Sequence, residues 1–207
     1  MERREAIDEL GQILLKTGCL RFGTFKLSSG ALSPYYVDLR LIPSDPQAFK
    51  RIIDFYSYVL DGDLLGRSTR FAGIPTAGIA YGAVLAFVHG KPFLYVRKGA
   101  KEYGGRRKIE GLLFPGETIL VLDDVVTKGS NLLMAIEAIR TEGGIVKDAI
   151  VLLDRQEGGV ENLQKVGVSL HSFTTISQVC EVLRDKDVIS DDEYDQIVKQ
   201  IIREVSG

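Results

Sequence analysis

Short hydrophobic runs alternate along the chain with longer helical patterns. Alternation of short buried runs with helices is typical of a parallel sheet that is covered on both faces. The pattern therefore predicts an α/β fold, with a central parallel sheet of about five strands flanked by helices. The five predicted strands are RFAGI (70–74), PFLYV (92–96), TILVLDD (118–124), KDAIVLLD (147–154) and SLHSFTTI (169–176).

Local signals predict where several helices begin and end. Asp45 followed by Pro46 supplies a cap and a first-turn proline for a helix that runs to about residue 60. Gly143 and Gly144 end another helix, and Ser190 with Glu193 forms a capping box for the last one. The predicted helices cover 1–18, 46–60, 76–88, 130–142, 160–167 and most of 188–205.

The segment 19–42 follows a different pattern, because it is rich in aromatic residues and interrupted by glycine and proline. It is expected to form short strands and turns. No repeat or low-complexity linker divides the chain. We therefore expect a single domain over 1–207, with a small N-terminal attachment, mainly 1–40, on a core of about 45–207.

Composition narrows the function classes. The 207 residues are 45% hydrophobic and 26% charged with a net charge of −2, so no basic field predicts a nucleic-acid partner. No segment approaches the roughly 20 apolar residues that a membrane span needs, so no membrane association is expected. Cys19 and Cys180 are too few for a disulfide framework. A reduced, cytoplasmic protein is predicted.

The stretch VLDDVVTKGSN (121–131) carries the main candidate chemistry. In an open parallel sheet, ligands bind beyond the carboxyl ends of strands, and the loop here leads into a helix N-terminus, which suits an anion. Thr127, Ser130 and the amides of Lys128 and Gly129 can surround a phosphate monoester. The carboxylates of 123–124 would repel phosphate but accept hydrogen bonds from sugar hydroxyls. A phosphorylated sugar is inferred; the alternative is an acid pair that caps the helix, followed by ordinary turn residues.

This stretch resembles the phosphoribosyl-diphosphate (PRPP) binding motif of type I phosphoribosyltransferases. The resemblance implies that the acids hold the ribose hydroxyls and that the loop holds the 5-phosphate. It also extends to AGIPTAG (72–78), which matches the turn after the second strand of that family and places Thr76 and Ala77 near the diphosphate. The other PRPP-binding residues implied are Asp123, Asp124, Val125, Val126, Thr127, Lys128, Gly129, Ser130 and Asn131.

A second stretch, YVRKGAKEYGGRRKIEG (95–111), contains six basic residues among four glycines. It is similar to the catalytic loop of orotate phosphoribosyltransferases, and implies a lid whose cations meet the diphosphate leaving group. Lys101 is expected to make the main contact, assisted by Arg97, Lys98 and Tyr103. The family commonly has histidine where this chain has Tyr103. The alternative is a solvated charged loop.

The stretch VLLDRQEGG (151–159) is similar to the orotate-binding strand end of the same family. Guanidinium is the natural bidentate partner of a planar carboxylate, so Arg155 is the candidate for the carboxylate of orotate. The alternative is an arginine that pairs with Asp154 or Glu157 at a turn.

The segment 22–40 resembles the N-terminal hood of the family, with Ser28 where a lysine is usual. Lys26 lies two positions earlier, on the same face of an extended strand, and is the candidate replacement. Tyr35 and Tyr36 either flank the base or belong to the core. The orotate-binding residues implied are Thr127, Arg155, Lys26 and Tyr36.

These resemblances imply transfer of the phosphoribosyl group from PRPP to orotate, giving orotidine 5′-monophosphate and diphosphate in pyrimidine (UMP) biosynthesis. Mg²⁺ is the implied cofactor, bound mainly through PRPP with no direct protein ligand. A homodimer in which the lid reaches the neighbouring subunit is also implied. Two alternatives stay open, namely a phosphoribosyltransferase for another base and a non-enzymatic PRPP sensor.

Overall fold

A computed structural model describes residues 2–26, 30, 32–97, 99 and 108–206. Its elements follow one another in a largely alternating order. They are α1 Arg3–Lys16, β1 Leu20–Lys26, β2 Leu32–Val37, a 3-10 helix Leu39–Ser44, α2 Pro46–Val59, α3 Gly62–Arg67, β3 Arg70–Gly73, α4 Ala77–Val88, β4 Phe93–Val96, β5 Ile109–Glu110, β6 Thr118–Leu122, β7 Val125–Val126, α5 Ser130–Thr141, β8 Ile145–Asp154, α6 Gly159–Gln164, β9 Ser169–Thr175, α7 Ile176–Arg184 and α8 Asp191–Ser206.

The central sheet has the order β5-β4-β3-β6-β8, with β9 pairing the free edge of β8. Its five main strands, β3, β4, β6, β8 and β9, run parallel, and only β5 is antiparallel to its neighbour. The predicted α/β fold with a central parallel sheet is thus confirmed. Two further strands, β5 and β7, contain two residues each and were not predicted, because so short a segment has no detectable period.

Both faces of the sheet are buried, as alternation along β6 illustrates. Leu120 and Leu122 belong to the apolar cluster that includes α1, α2 and α4. Ile119 and Val121 belong to a second cluster on the opposite face, which includes α5. Because successive side chains of a strand point to opposite faces, a strand covered on both sides reads as a continuous hydrophobic run.

The double acid interrupts a strand rather than ending it. Leu122 of β6 pairs with Ile150, and Val125 of β7 pairs with Leu153 on the same edge of β8. Between them the carbonyl of Asp124 accepts from the amides of both Leu152, at 3.1 Å, and Leu153. The strand predicted to run through 124 therefore stops at Leu122 and resumes at Val125 in the same register, with the acid pair between the two pieces.

Helix caps agree with the sequence signals. The Asp45 carboxylate accepts from the amides of Gln47 and Ala48 at 3.0 and 3.1 Å, and the amide of Glu193 donates to Ser190 Oγ. The helix predicted over 160–167 is shorter and ends at Gln164. The sequence did not predict α3, α7 or the 3-10 helix.

A two-stranded sheet of β1 and β2 lies outside the central sheet, where strands and turns were expected. It contacts the C-terminal helix α8, since Ser33 Oγ donates a hydrogen bond to Gln200 Oε1 at 2.9 Å. The Leu10 and Leu14 side chains of α1 are completely buried. In the described ranges, no helix is both long and apolar enough to cross a bilayer.

Candidate active site

The carboxyl ends of β3 and β6 bring two of the predicted motifs into contact. A Cβ atom built on Gly78, in the first turn of α4, would lie 2.6 Å from the carbonyl oxygen of Leu122 and 3.1 Å from Asp123 Oδ1. The turn 72–78 therefore abuts the acid pair. In that turn Thr76 is exposed, Ala77 is buried, and the peptide bond between Pro75 and Thr76 is cis.

The two acids are held in different ways. Asp123 is only 6% exposed, its Oδ1 accepts from the amide of Asp124 at 3.0 Å, and its carbonyl oxygen accepts from Tyr56 Oη at 2.7 Å. Burial raises the pKa of Asp124, and the charge of Asp38 acts in the same direction. Hydroxyl groups of a ligand would supply hydrogen bonds that stabilise such a carboxylate.

The predicted phosphate loop begins α5 with an open helix end. Gly129 occupies the N-cap position with φ 78°, which favours glycine, and no described side chain caps the helix. The side chains at 127 and 130–131 are half-buried or exposed beside it. Open first-turn amides together with nearby hydroxyl groups are what a phosphate requires.

Helix α6 packs against the backbone of the predicted phosphate loop. Asn162 Nδ2 donates to the carbonyl of Lys128 at 3.1 Å. A Cβ atom built on Gly159 would lie only 2.5 Å from the carbonyl oxygen of Thr127, so the two backbones are in close contact. The loop conformation therefore depends on the glycine at the start of α6.

The Lys128 side chain has a partner in the C-terminal helix. Its Nζ lies 3.5 Å from Glu204 Oε2 of α8, and the lysine side chain is 57% exposed. Sequence reasoning did not foresee Glu204, which lies 76 positions further along the chain. The predicted contact of Lys128 with PRPP stays a prediction.

Arg155 lies directly after β8, with its amide donating to the carbonyl of Val126 at 3.0 Å. Its side chain is buried, Nε donates to Tyr35 Oη at 3.1 Å, and Nη2 lies 2.7 Å from Glu157 Oε1. The guanidinium carbon also lies 4.7 Å from the centroid of the Tyr35 ring. Of the two pairings considered from the sequence, Glu157 is the observed partner, whereas Asp154 accepts from the amide of Gln156.

The two tyrosines of the β1–β2 hairpin lie in different surroundings. Tyr35 is fully buried against Arg155, whereas Tyr36 is half-buried with its ring centroid 5.1 Å from the guanidinium carbon of Arg21. Lys26 is the last residue of β1, is exposed, and lies opposite Leu32 in the register. The roles of Lys26 and Tyr36 toward orotate stay predictions. Tyr35 is the residue of the hairpin that the structure joins to Arg155.

The predicted lid begins and ends on neighbouring strands. The amide of Arg97 donates to the carbonyl of Lys108 at 2.8 Å, and Arg97 Nη1 lies 3.4 Å from Glu110 Oε1 of β5. Both ends of the basic segment are thus fixed at one edge of the sheet. Three predicted lid residues, Lys98, Lys101 and Tyr103, lie outside the described residues.

The acid pair also provides the donor atoms that suit the implied Mg²⁺. Within the described residues, no group of three or more His, Cys, Asp or Glu side chains is placed to hold a metal ion. Carboxylate oxygens are the ligand type that Mg²⁺ prefers, and this ion is usually bound by one or two carboxylates together with substrate phosphates. Two adjacent carboxylates without a third ligand in the described part of the chain fit a Mg²⁺ ion that is bound mainly through PRPP rather than by the protein.

Comparison with known proteins agrees with these motifs. No protein-family model matches the chain. Orotate phosphoribosyltransferase from Pyrobaculum islandicum is 38% identical over 188 residues, which are 90% of this chain and 95% of that protein. Uridine 5′-monophosphate synthase from Bos taurus is 36% identical over 89% of this chain, and the match covers 38% of that longer protein.

A solved structure shows the same agreement in three dimensions. The crystal structure of orotate phosphoribosyltransferase from Aeropyrum pernix has a TM-score of 0.77 and 35% identity, covering 87% of this chain and 99% of that one. Similarity of this extent, over nearly whole chains, places the protein in a family. The chain belongs to the orotate phosphoribosyltransferases, which are pentosyltransferase enzymes.

Proposed function

We propose that this protein transfers the phosphoribosyl group of PRPP to orotate, forming orotidine 5′-monophosphate and diphosphate for pyrimidine biosynthesis. The observation that supports this most directly is the shared location of three groups. The acid pair 123–124, the open N-terminus of α5 and the buried Arg155 all lie at the carboxyl ends of β6 and β8. An anionic sugar phosphate and a carboxylated base have matching groups there.

PRPP is assigned to the acid pair and the loop. Asp123 and Asp124 accept hydrogen bonds from the ribose hydroxyls, while the amides and hydroxyls of 127–131 bind the 5-phosphate. Thr76 and Ala77 directly precede Gly78, whose backbone abuts Asp123, and they are assigned to the diphosphate. Arg97, at the base of the lid, is assigned to the diphosphate leaving group together with Lys98, Lys101 and Tyr103.

Orotate is assigned to the space near Arg155, with Thr127, Tyr36 and Lys26 as further contacts. Orotate arrives as an anion, so no strong general base is required. Catalysis then consists of positioning the base and sugar and stabilising charge on the departing diphosphate. Mg²⁺ bound mainly through PRPP would supply further positive charge beside the diphosphate.

The whole chain is proposed to act as one phosphoribosyltransferase domain, because α8 joins the β1–β2 hairpin to the core through Gln200.

A homodimer with a shared lid is proposed as well. Three large apolar side chains, Phe87, Leu112 and Phe114, are 87%, 68% and 56% exposed and suit a subunit interface. A cytoplasmic location is proposed, because both cysteines are free and buried, and burial raises the pKa of Cys180 to about 12.

The direct test of the function is loss of orotate absorbance after addition of PRPP and Mg²⁺. Hypoxanthine, adenine and uracil are run in parallel as alternative bases. Consumption of orotate alone is the expected result. Turnover of another base instead would keep the PRPP site and refute the assignment of Arg155, and PRPP binding without any turnover would indicate a sensor.

Replacement of the main lid cation tests the leaving-group assignment. Lys101→Ala should lower kcat about tenfold, because a preorganised cation stabilises the charge that develops on diphosphate and neighbouring cations share that role. The melting temperature should stay unchanged, since a single lid cation is expected to contribute little to folding. Steady-state kinetics and thermal unfolding of the same preparation check both parts. A fall in the melting temperature together with the fall in kcat would mean that the lysine is structural.

The replacement lysine of the hairpin is tested separately. Lys26→Ala should raise the KM for orotate severalfold and leave the melting temperature unchanged, because Lys26 is exposed at the end of β1. Lys16→Ala, in the last turn of α1, is a matched control that removes the same charge. Unchanged KM and kcat in Lys26→Ala would show that Lys26 does not take over from the family lysine.

A further inference from the structure

Arg155 and Glu157 form a buried ion pair within one turn. Each residue is only 7% exposed, and Nη2 lies 2.7 Å from Oε1. Despite this short distance, neither Arg155 Nη2 nor Glu157 Oε1 has a hydrogen-bond partner of good geometry. The pair is therefore held by charge without an aligned hydrogen bond. A carboxylate that forms well-aligned hydrogen bonds with the guanidinium would bind it more strongly than Glu157 does.

The geometry of the guanidinium decides what an incoming carboxylate can do. A bidentate carboxylate uses two adjacent N–H groups, either Nε with Nη2 or Nη1 with Nη2. Nε already donates to Tyr35 Oη, and Nη2 is next to Glu157 Oε1. Both bidentate edges include Nη2, so a carboxylate that binds in this way must compete with Glu157 Oε1 for contact with that nitrogen.

Further charges surround Glu157. Burial raises its pKa, Arg155 opposes that rise, Glu204 of α8 adds to it, and Lys128 of the phosphate loop opposes it. Lys128 and Glu204 also form a pair at 3.5 Å. A displaced Glu157 carboxylate would therefore remain within the field of a second cation, Lys128, rather than in an apolar surrounding.

We propose that Glu157 is the resident counter-ion of Arg155 and that the carboxylate of the substrate displaces it on binding. The inference rests on the proposed function, in which Arg155 receives the carboxylate of orotate. It makes Glu157 a specificity-determining residue, because only a base that carries its own carboxylate replaces the charge that Arg155 loses. A pyrimidine without that group, such as uracil, leaves the internal pair in place and gains nothing from Arg155.

The test compares Glu157→Gln with the wild-type enzyme. Glutamine has nearly the same shape but no charge, so orotate no longer competes with a carboxylate for Arg155. The KM for orotate should fall about fivefold, in line with the net strength of one typical hydrogen bond, and the KM for PRPP should stay the same. Glu161→Gln is the matched control, because it removes an exposed carboxylate four positions away.

Thermal unfolding gives a second measurement that a purely structural role would not reproduce. The melting temperatures of the variant and the wild type without orotate are the reference values for this measurement. Saturating orotate should then raise the melting temperature more in the variant than in the wild type, because its affinity is higher. Glu157→Asp, which keeps the charge but withdraws it by one methylene, should give an intermediate KM.

Failure of the inference and failure of the proposed function give different results. If Arg155→Gln leaves the KM for orotate unchanged, the carboxylate does not bind Arg155, and the assignment under the proposed function is wrong. If Arg155→Gln raises that KM while Glu157→Gln raises it or leaves it unchanged, Glu157 positions Arg155 instead of competing for it. That second result overturns this inference alone.

Discussion

Asp124→Asn is expected to lower kcat/KM for PRPP while making the protein more stable at neutral pH. A hydrogen bond to a charged acceptor contributes about 1.5 to 3 kcal/mol, so loss of the carboxylate should lower kcat/KM about 10- to 100-fold. Stability should rise because burial raises the pKa of Asp124, which means that its charged form is unfavourable in the folded protein. Steady-state kinetics and thermal unfolding check the two effects.

The pH dependence of this stability gain has a definite sign. Because the pKa of Asp124 is raised on folding, the folded protein binds more protons than the unfolded chain between the ordinary and the raised value. The free energy of unfolding therefore falls as pH rises through that window, and the full penalty is present above it. Asparagine has no such penalty, so the advantage of the variant should be complete at neutral pH and disappear below about pH 4.

Asp195→Asn is the control for this experiment, because it removes one negative charge from an exposed position of α8. It should change neither kcat/KM nor the pH dependence. Unchanged use of PRPP by Asp124→Asn would refute the assignment of the acid pair to the ribose. A melting temperature below that of the wild type at neutral pH would show that the charged carboxylate is stabilised by its surroundings.

The fold was readable from the sequence wherever a signal repeats or a cap is local. The Asp45–Pro46 start of α2 acts within three residues, and the five main strands each show as a short hydrophobic run in the sequence. Helix α7 was not predicted from the sequence, because Thr175 is both the last residue of β9 and the N-cap of the helix. Its capping box with Gln178 was present in the sequence but was hidden by the preceding strand pattern.

In the candidate site as well, residues that belong to a contiguous motif could be predicted from the sequence, whereas their long-range partners could not. The acid pair, the phosphate loop and the turn 72–78 come from contiguous motifs, and the structure brings them together at the strand ends. The partners of the charged side chains do not come from motifs. Arg155 donates to Tyr35 Oη across 120 positions of sequence, and Lys128 meets Glu204 of the last helix. Such contacts depend on tertiary packing, which no local periodicity encodes.

Gly159→Ala is expected to cost about 3 kcal/mol of unfolding free energy, the upper end for overpacking a close contact. The new Cβ atom would lie 2.5 Å from the carbonyl oxygen of Thr127 and 2.6 Å from Val126 Cγ2. One of these is a backbone atom of the phosphate loop, so either the loop or α6 must move. The KM for PRPP should therefore rise together with the loss of stability, and denaturant unfolding and initial-rate kinetics measure the two changes.

Two other glycines separate steric contact from backbone conformation. Gly158 has φ 93° and open space around it, so Gly158→Ala should cost only the strain of a left-handed residue, about 1–2 kcal/mol. Gly66 in α3 has open space and an ordinary helical conformation, so Gly66→Ala should stabilise the protein by about 0.5–1 kcal/mol. If Gly159→Ala costs no more than Gly158→Ala and leaves the KM for PRPP unchanged, the phosphate loop does not depend on its contact with α6. A larger cost with a raised KM would mean that α6 holds the loop in the conformation that binds phosphate.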